Sequence, residues 1–268
     1  IGTRRSPMAT GLAGQAILTV LTDCNTSLQP FRSLGLGCLL NPSSGEPPSF
    51  LVLGDSHAES LYPALARFSH ATGQQGRLLQ HFGCSPLFDI ADQDIMTGCR
   101  LTLQQARDVI AEHRLTRVVV VSRFSNEYRP RETFAPRFEK MIAGFAARGV
   151  MVYIVRQAPE HPRFDRRQYL RAVLGQRFFG IDATPQIQRM TSSRAEHEQR
   201  QQFVNGVFAS HQHDPRVRFV DFTSPLCDAT DCTLGTTSTP YYADTDHMNF
   251  VGALTVSDVL TRQLLEVW

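Results

Sequence analysis

The chain has 268 residues, a hydrophobic fraction of 42% and a formal net charge of +2. These values describe a folded globular protein and exclude disordered, collagen-like and membrane-bundle classes. The length lies at the upper end of a single domain, and so small a basic excess does not call for nucleic acid as a partner. Lys140 is the sole lysine, so nearly all the positive charge is arginine. Arginine suits bidentate contact with carboxylates or phosphates, although a GC-rich coding sequence has the same effect. No run approaches the roughly 20 apolar residues of a transmembrane helix. The longest candidate, 12–21, is short and interrupted by Gly14, Gln15 and Thr19. The chain opens at Ile1 without a signal peptide, as expected of a processed protein or a piece of a larger one.

Residues 1–48 show no sustained periodicity. A short amphipathic helix over 9–21 leads into a Pro/Gly/Ser-rich stretch that ends at Pro47 and Pro48. The segment reads as a linker or extension packed on the edge of a domain spanning 49–268. From Phe50 the pattern alternates between strand and helix. Residues 50–53 form a fully apolar run closed by Gly54, as expected of a buried parallel strand. Leu61, Leu65 and Phe68 recur at helical spacing, and 77–80 reads as a second strand. Residues 103–113 are helical by pattern, and 117–121 is the clearest buried strand. Residues 134–147 form a helix ended by Gly149. Residues 150–155 and 216–221 supply the fourth and fifth strands, and 251–267 an amphipathic closing helix.

Five short strands alternating with helices imply right-handed crossovers and a parallel sheet covered on both faces. The expected fold is a three-layer α/β/α sandwich around a five-stranded parallel sheet. Such sheets bind ligands outside the carboxyl ends of their strands. Residues 156–215 are less regular. Arg163, Arg166, Arg167 and Arg171 cluster near Phe164 and Tyr169, ahead of a long polar helix over 193–211. This stretch reads as a surface insertion beside the site, its arginines forming a solvated face rather than a substrate clamp.

Six cysteines fall into three local pairs. Proximity favours Cys24–Cys38, Cys84–Cys99 and Cys227–Cys232, though sequence does not choose among the alternatives. None has CxxC spacing or a histidine at zinc-finger distance, so metal is not expected. An even count in local pairs points to an oxidising compartment.

Gly54-Asp55-Ser56-His57 follows the first strand and opens the first helix. Gly54 permits a tight exit, and Ser56 falls at a helix N-terminus, where N–H groups and the helix dipole favour developing negative charge. An N-capping role is the bland alternative for Ser56. Near the other end lies Asp244-Thr245-Asp246-His247. A serine hydroxyl needs a neighbouring base, and a histidine oriented by a carboxylate supplies one. Asp244 is favoured over Asp246 as that carboxylate. Asp55 reads as a turn or capping residue, and His57 as a supporting or substrate-contacting group.

GDSH after the first strand and DxxH before the last helix resemble the first and fifth blocks of the SGNH hydrolase family, whose fold is a flavodoxin-like sandwich. Asn249 and Gly252 are similar to the continuation seen in many members. Gly54–Ala58 and Cys84–Pro86 resemble, in particular, the extracytoplasmic SGNH domains fused to membrane-bound acyltransferase-3 proteins of bacteria, which acetylate cell-surface glycans such as the lipopolysaccharide O-antigen. The resemblance implies a periplasmic domain tethered to the inner membrane, with a fused membrane acyltransferase domain N-terminal to it. It implies Ser56 as acyl carrier, His247 as base and acid, and Asp244 as orienting carboxylate. It also implies a glycan acceptor, an acyl donor and no cofactor. Oxyanion donors would be the backbone N–H groups of Ser56 and Gly83. Where the family's third block carries Gly-x-Asn-Asp, this chain reads Ser122-Arg123-Phe124-Ser125-Asn126, in which Asn126, offset from the usual position, is the candidate to replace the missing oxyanion donor. The expected activity is O-acetyl transfer. A carbohydrate or lipid esterase is the alternative, and a silent glycan-binding module a third reading. The remaining histidines show no ligand-like grouping with carboxylates; the His211-x-His213 pair could bind a metal but sits in a polar loop before Asp214-Pro215, and the bland reading is preferred. Trp268, Tyr241 and Tyr242 read as packing, with glycan stacking open for the two tyrosines.

Overall fold

The computed structural model of the chain describes residues 37–92, 95–125 and 131–268. The core is a sheet of β1 (Cys38–Leu39), β2 (Phe50–Gly54), β3 (Gly76–Gln80), β4 (Arg117–Val121), β5 (Met151–Val155) and β7 (Val217–Val220). Its order is β1-β3-β2-β4-β5-β7. Neighbours from β3 to β7 pair in parallel, whereas β1 pairs antiparallel with β3, setting Cys38 against Leu78. The five parallel strands expected are therefore present, and β1 adds a sixth, antiparallel strand at the edge, which makes the sheet mixed. The extra strand is two residues long, too short to show a period of two, and it lies in the stretch read as an extension.

Alternate residues of each strand face opposite layers, so both faces are apolar. Val52, Leu78, Val119, Val121, Tyr153, Val155 and Val220 pack with α2 (Tyr62–Thr72) and α8 (Phe250–Val267). Leu51, Leu53, Leu79, Val118, Val120, Val152 and Ile154 pack with α3 (Thr97–His113), α4 (Phe134–Ala146) and α7 (Arg194–Ser210). Trp268 closes the first layer with its ring edge-on to Phe50 and Phe68. It is a packing residue.

The stretch after β5 holds α5 (Arg166–Phe179), α6 (Thr184–Met190) and β6 (Ser192–Ser193), and β6 pairs antiparallel with β8 (Asp231–Cys232). Tyr169, Ala172, Ile187 and Met190 anchor it to the first core layer. Disulfides join Cys84 to Cys99 and Cys227 to Cys232. Cys38 is also disulfide-bonded, while its expected partner Cys24 lies outside the described residues. Among the described residues, no helix is long and apolar enough to cross a membrane.

Candidate active site

The site is assembled at the carboxyl ends of the parallel strands. β2 ends at Gly54, where a Cβ would stand 1.9 Å from the Val121 carbonyl oxygen. Only glycine lets β2 and β4 run that close. The chain then enters α1 (Ser56–Ser60), with Asp55 at its N-cap. Asp55 is 1% exposed. One carboxylate oxygen accepts the His57 N–H at 2.7 Å, and the other accepts the Ser122 hydroxyl at 2.7 Å and the Arg123 N–H at 2.8 Å. This carboxylate thus ties the serine turn to the loop after β4. Ser56, as the first residue of α1, has a backbone N–H with no intrahelical acceptor.

Ser56 Oγ lies 2.8 Å from His247 Nε2. His247 Nδ1 lies 2.9 Å from Asp244 Oδ2 and 3.7 Å from Asp246 Oδ1. Asp244 also accepts the backbone N–H groups of Asp246 at 3.0 Å and His247 at 2.8 Å. One carboxylate therefore shapes the loop and meets the imidazole. The loop is held from behind by Tyr242, 1% exposed and edge-on to His161. Asn249 closes it, accepting from the Gly252 N–H at 3.0 Å as the N-cap of α8 and donating to the Pro240 carbonyl at 2.8 Å. The buried ring of Tyr242 has no face to offer a glycan.

A second layer lies beneath these groups, in which His57 has the supporting place expected of it and the bridge made by Arg123 and Glu160 was not anticipated from sequence. The His57 ring packs against the His247 ring at 4.6 Å, and its Nε2 stands 3.3 Å from Asp246. Arg123 pairs with Asp246 at 2.8 Å and with Glu160 at 2.9 Å. Glu160, 3% exposed, also accepts from Ser125 at 2.9 Å, Gln157 at 2.5 Å and Arg200 at 3.2 Å. Burial raises the Asp246 carboxyl pKa, but the His57 hydrogen bond and the Arg123 charge outweigh it and hold the group well below the usual carboxylate range. The balance at Glu160 runs the same way: burial raises it, and the Arg123 hydrogen bond and charge bring it lower overall. The departure at the third block thus installs a guanidinium that joins the loops after β4 and β5 to the histidine loop. Its sequence signal was that single departure.

Gly83, with φ of +66°, sits in the loop after β3. That loop meets the serine turn through the His81 N–H, which donates to the Gly54 carbonyl at 3.3 Å. Asn126 lies outside the described residues. His57, Asp246 and His247 bring ligand-type atoms within 4.8 Å of one another, but Arg123 already compensates the carboxylate and disfavours a cation. His211 is bonded to Glu139 at 3.0 Å, away from this edge. Among the insertion arginines, Arg163 pairs with Glu196 at 2.6 Å.

A family model described as "SGNH domain (fused to AT3 domains)" matches residues 23–262. The chain is an SGNH domain of that family. Among solved structures, this SGNH domain is similar to the periplasmic domain of a lipopolysaccharide acetyltransferase from Salmonella ser. Paratyphi A. That match has TM-score 0.61 and 12% identity, covering 81% of this chain and 84% of the other. A protein from Slackia heliotrinireducens assigned to the SGNH hydrolases matches at TM-score 0.51 and 15% identity, covering 82% and 100%. A protein of the G-D-S-L lipolytic family from Desulfitobacterium hafniense matches at TM-score 0.50 and 12% identity, covering 80% and 98%. No curated protein matches the sequence.

Proposed function

We propose that this SGNH domain is a serine-dependent O-acyltransferase that passes an acetyl group to a hydroxyl of a bacterial cell-surface glycan. The observation that carries this reading is the continuous path from Ser56 Oγ to His247 Nε2 at 2.8 Å and from His247 Nδ1 to Asp244 at 2.9 Å. In the first half-reaction Ser56 Oγ attacks the acyl carbonyl of the donor while its proton passes to His247 Nε2. The backbone N–H groups of Ser56 and Gly83 are the donors we assign to the resulting oxyanion. Collapse expels the donor's leaving group, which takes the proton from His247, and leaves an acyl ester on Ser56. In the second half-reaction the acceptor hydroxyl gives its proton to His247 and attacks that ester. Ser56 then leaves and recovers the proton.

Family membership and the acetyltransferase among the similar structures support transfer to a glycan, an extracytoplasmic location and a fused membrane domain that delivers the acyl group. Water in place of the glycan hydroxyl would give an acetyl esterase by the same steps. The test is incubation with a chromogenic acetyl ester, with and without a cell-surface oligosaccharide, followed by intact-protein mass spectrometry. An acetyl adduct that Ser56→Ala abolishes, and that the oligosaccharide discharges into acetylated sugar, is the expected result. Acetate release indifferent to sugar would replace transfer with hydrolysis, and an adduct persisting in Ser56→Ala would remove Ser56 from the chemistry.

A further inference from the structure

Helix α5 carries a face that neither the core nor the site uses. Tyr169 and Ala172 point inward and are buried, whereas Leu170, Leu174 and Phe178 are 42%, 49% and 67% exposed. Those three recur every four residues and so form one stripe along the helix. Phe179, the last residue of the helix and about 100° round from Phe178, and Ile181 just beyond the helix are also exposed, at 78% and 63%. Isolated exposed apolar side chains are ordinary; a stripe of three on one helix face, with two more exposed at the helix end, is not.

The same surface is basic. Arg166, Arg167, Arg171 and Arg177 are all exposed, and the helix contains no acidic residue. At about 100° per residue Arg171 falls on one flank of the apolar stripe and Arg166 and Arg177 on the other, with Arg167 in line with the stripe at its N-terminal end. None makes an ion pair with a described residue, whereas the neighbouring Arg163 and Arg194 are paired with Glu196 and Glu198. The Asp165 side chain is engaged as the helix N-cap.

We propose that α5 is an interfacial helix that docks the domain on an anionic lipid surface. Its leucines and phenylalanines would enter the boundary between headgroups and acyl chains, while the guanidiniums on either side meet lipid phosphates. A plane of anionic headgroups satisfies both flanks at once, whereas a protein groove would need acidic residues on both walls. The first turn of α5 borders a surface concavity shared by Asp244 and Thr245. Docking there sets the rim of the serine–histidine site against the membrane and favours acceptors held at that surface.

The test is co-sedimentation of the 268-residue chain with phosphatidylcholine vesicles with and without phosphatidylglycerol, at low and high salt. Binding that needs phosphatidylglycerol and weakens with salt is expected. Leu174→Glu with Phe178→Glu should abolish it, and Arg171→Gln with Arg177→Gln should weaken it on the order of thirtyfold. Circular dichroism and acetyl-ester turnover should stay unchanged in both variants. Wild-type chain left in the supernatant with anionic vesicles would overturn the proposal and assign the face to a protein partner. Equal binding to neutral vesicles, or by the variants, would overturn it as well.

Discussion

Two aspartates flank His247, and their environments assign them different work. Asp244 is half-exposed and bonded to the imidazole at 2.9 Å, while Asp246 is buried against Arg123 and His57. Asp244→Asn is therefore expected to lower turnover by roughly 10²–10⁴-fold with little change in melting temperature, because the imidazole loses its orienting carboxylate and little buried structure is disturbed. Asp246→Asn should instead lower the melting temperature, since it leaves the Arg123 guanidinium partly buried without one of its two carboxylates. Thermal melts beside acetyl-ester kinetics separate the two; equal loss of turnover at unchanged stability in both variants would contradict this division. Ser56, His247 and Asp244 could be proposed from sequence because each lies in a contiguous motif at a strand or helix boundary. Arg123 and Glu160 were not, because their pairing spans 37 positions and no local pattern encodes it.

The loops after β4 and β5 and the histidine loop are separate elements joined by one polar network, and removing one member leaves the others uncompensated. Glu160→Gln should cost about 3–5 kcal/mol, read as a shift in urea midpoint. Glu160 and Asp246 both titrate below the ordinary carboxylate range when folded. Their stabilisation is thus fully present above about pH 4.5, and is lost as pH falls through the lower folded values. His161 acts over a higher window. Burial, followed by the charges of His197 and Arg163, lowers it to about 3, so the fold holds it neutral. Stability should decline as pH drops from about 6.5 toward 3, because the unfolded chain binds the proton more readily. Melting temperature against pH checks both: Glu160→Gln should make the profile shallower below about pH 4.5, where Asp246 and His161 still contribute, and leave the slope above it. A wild-type profile flat from pH 7 to about 4.5 would contradict the His161 assignment.

Over the whole molecule, the disulfides secure loops that the sheet does not. Cys84–Cys99 closes a separation of 15 residues across the loop after β3 and the start of α3. Opening it should cost about 3 kcal/mol of unfolding free energy on the chain-entropy account, against less for Cys227–Cys232, whose separation is 5. Urea melts of Cys84→Ser with Cys99→Ser measure this; unchanged stability would show that the loop is held by packing alone.

The strand and helix succession from Phe50 to Val155, the last strand of the main sheet, the closing helix, both apolar faces of the sheet and the two motifs proposed as catalytic were present in local order, because hydrophobic period, glycine exits and caps act over a few residues. The membership of β1 in the sheet, the pairing of β6 with β8, the arginine bridge under the site and the unpartnered face of α5 were decided by folding. Each depends on which distant segments meet, and on what they leave uncovered, and such contacts have no signature in neighbouring residues.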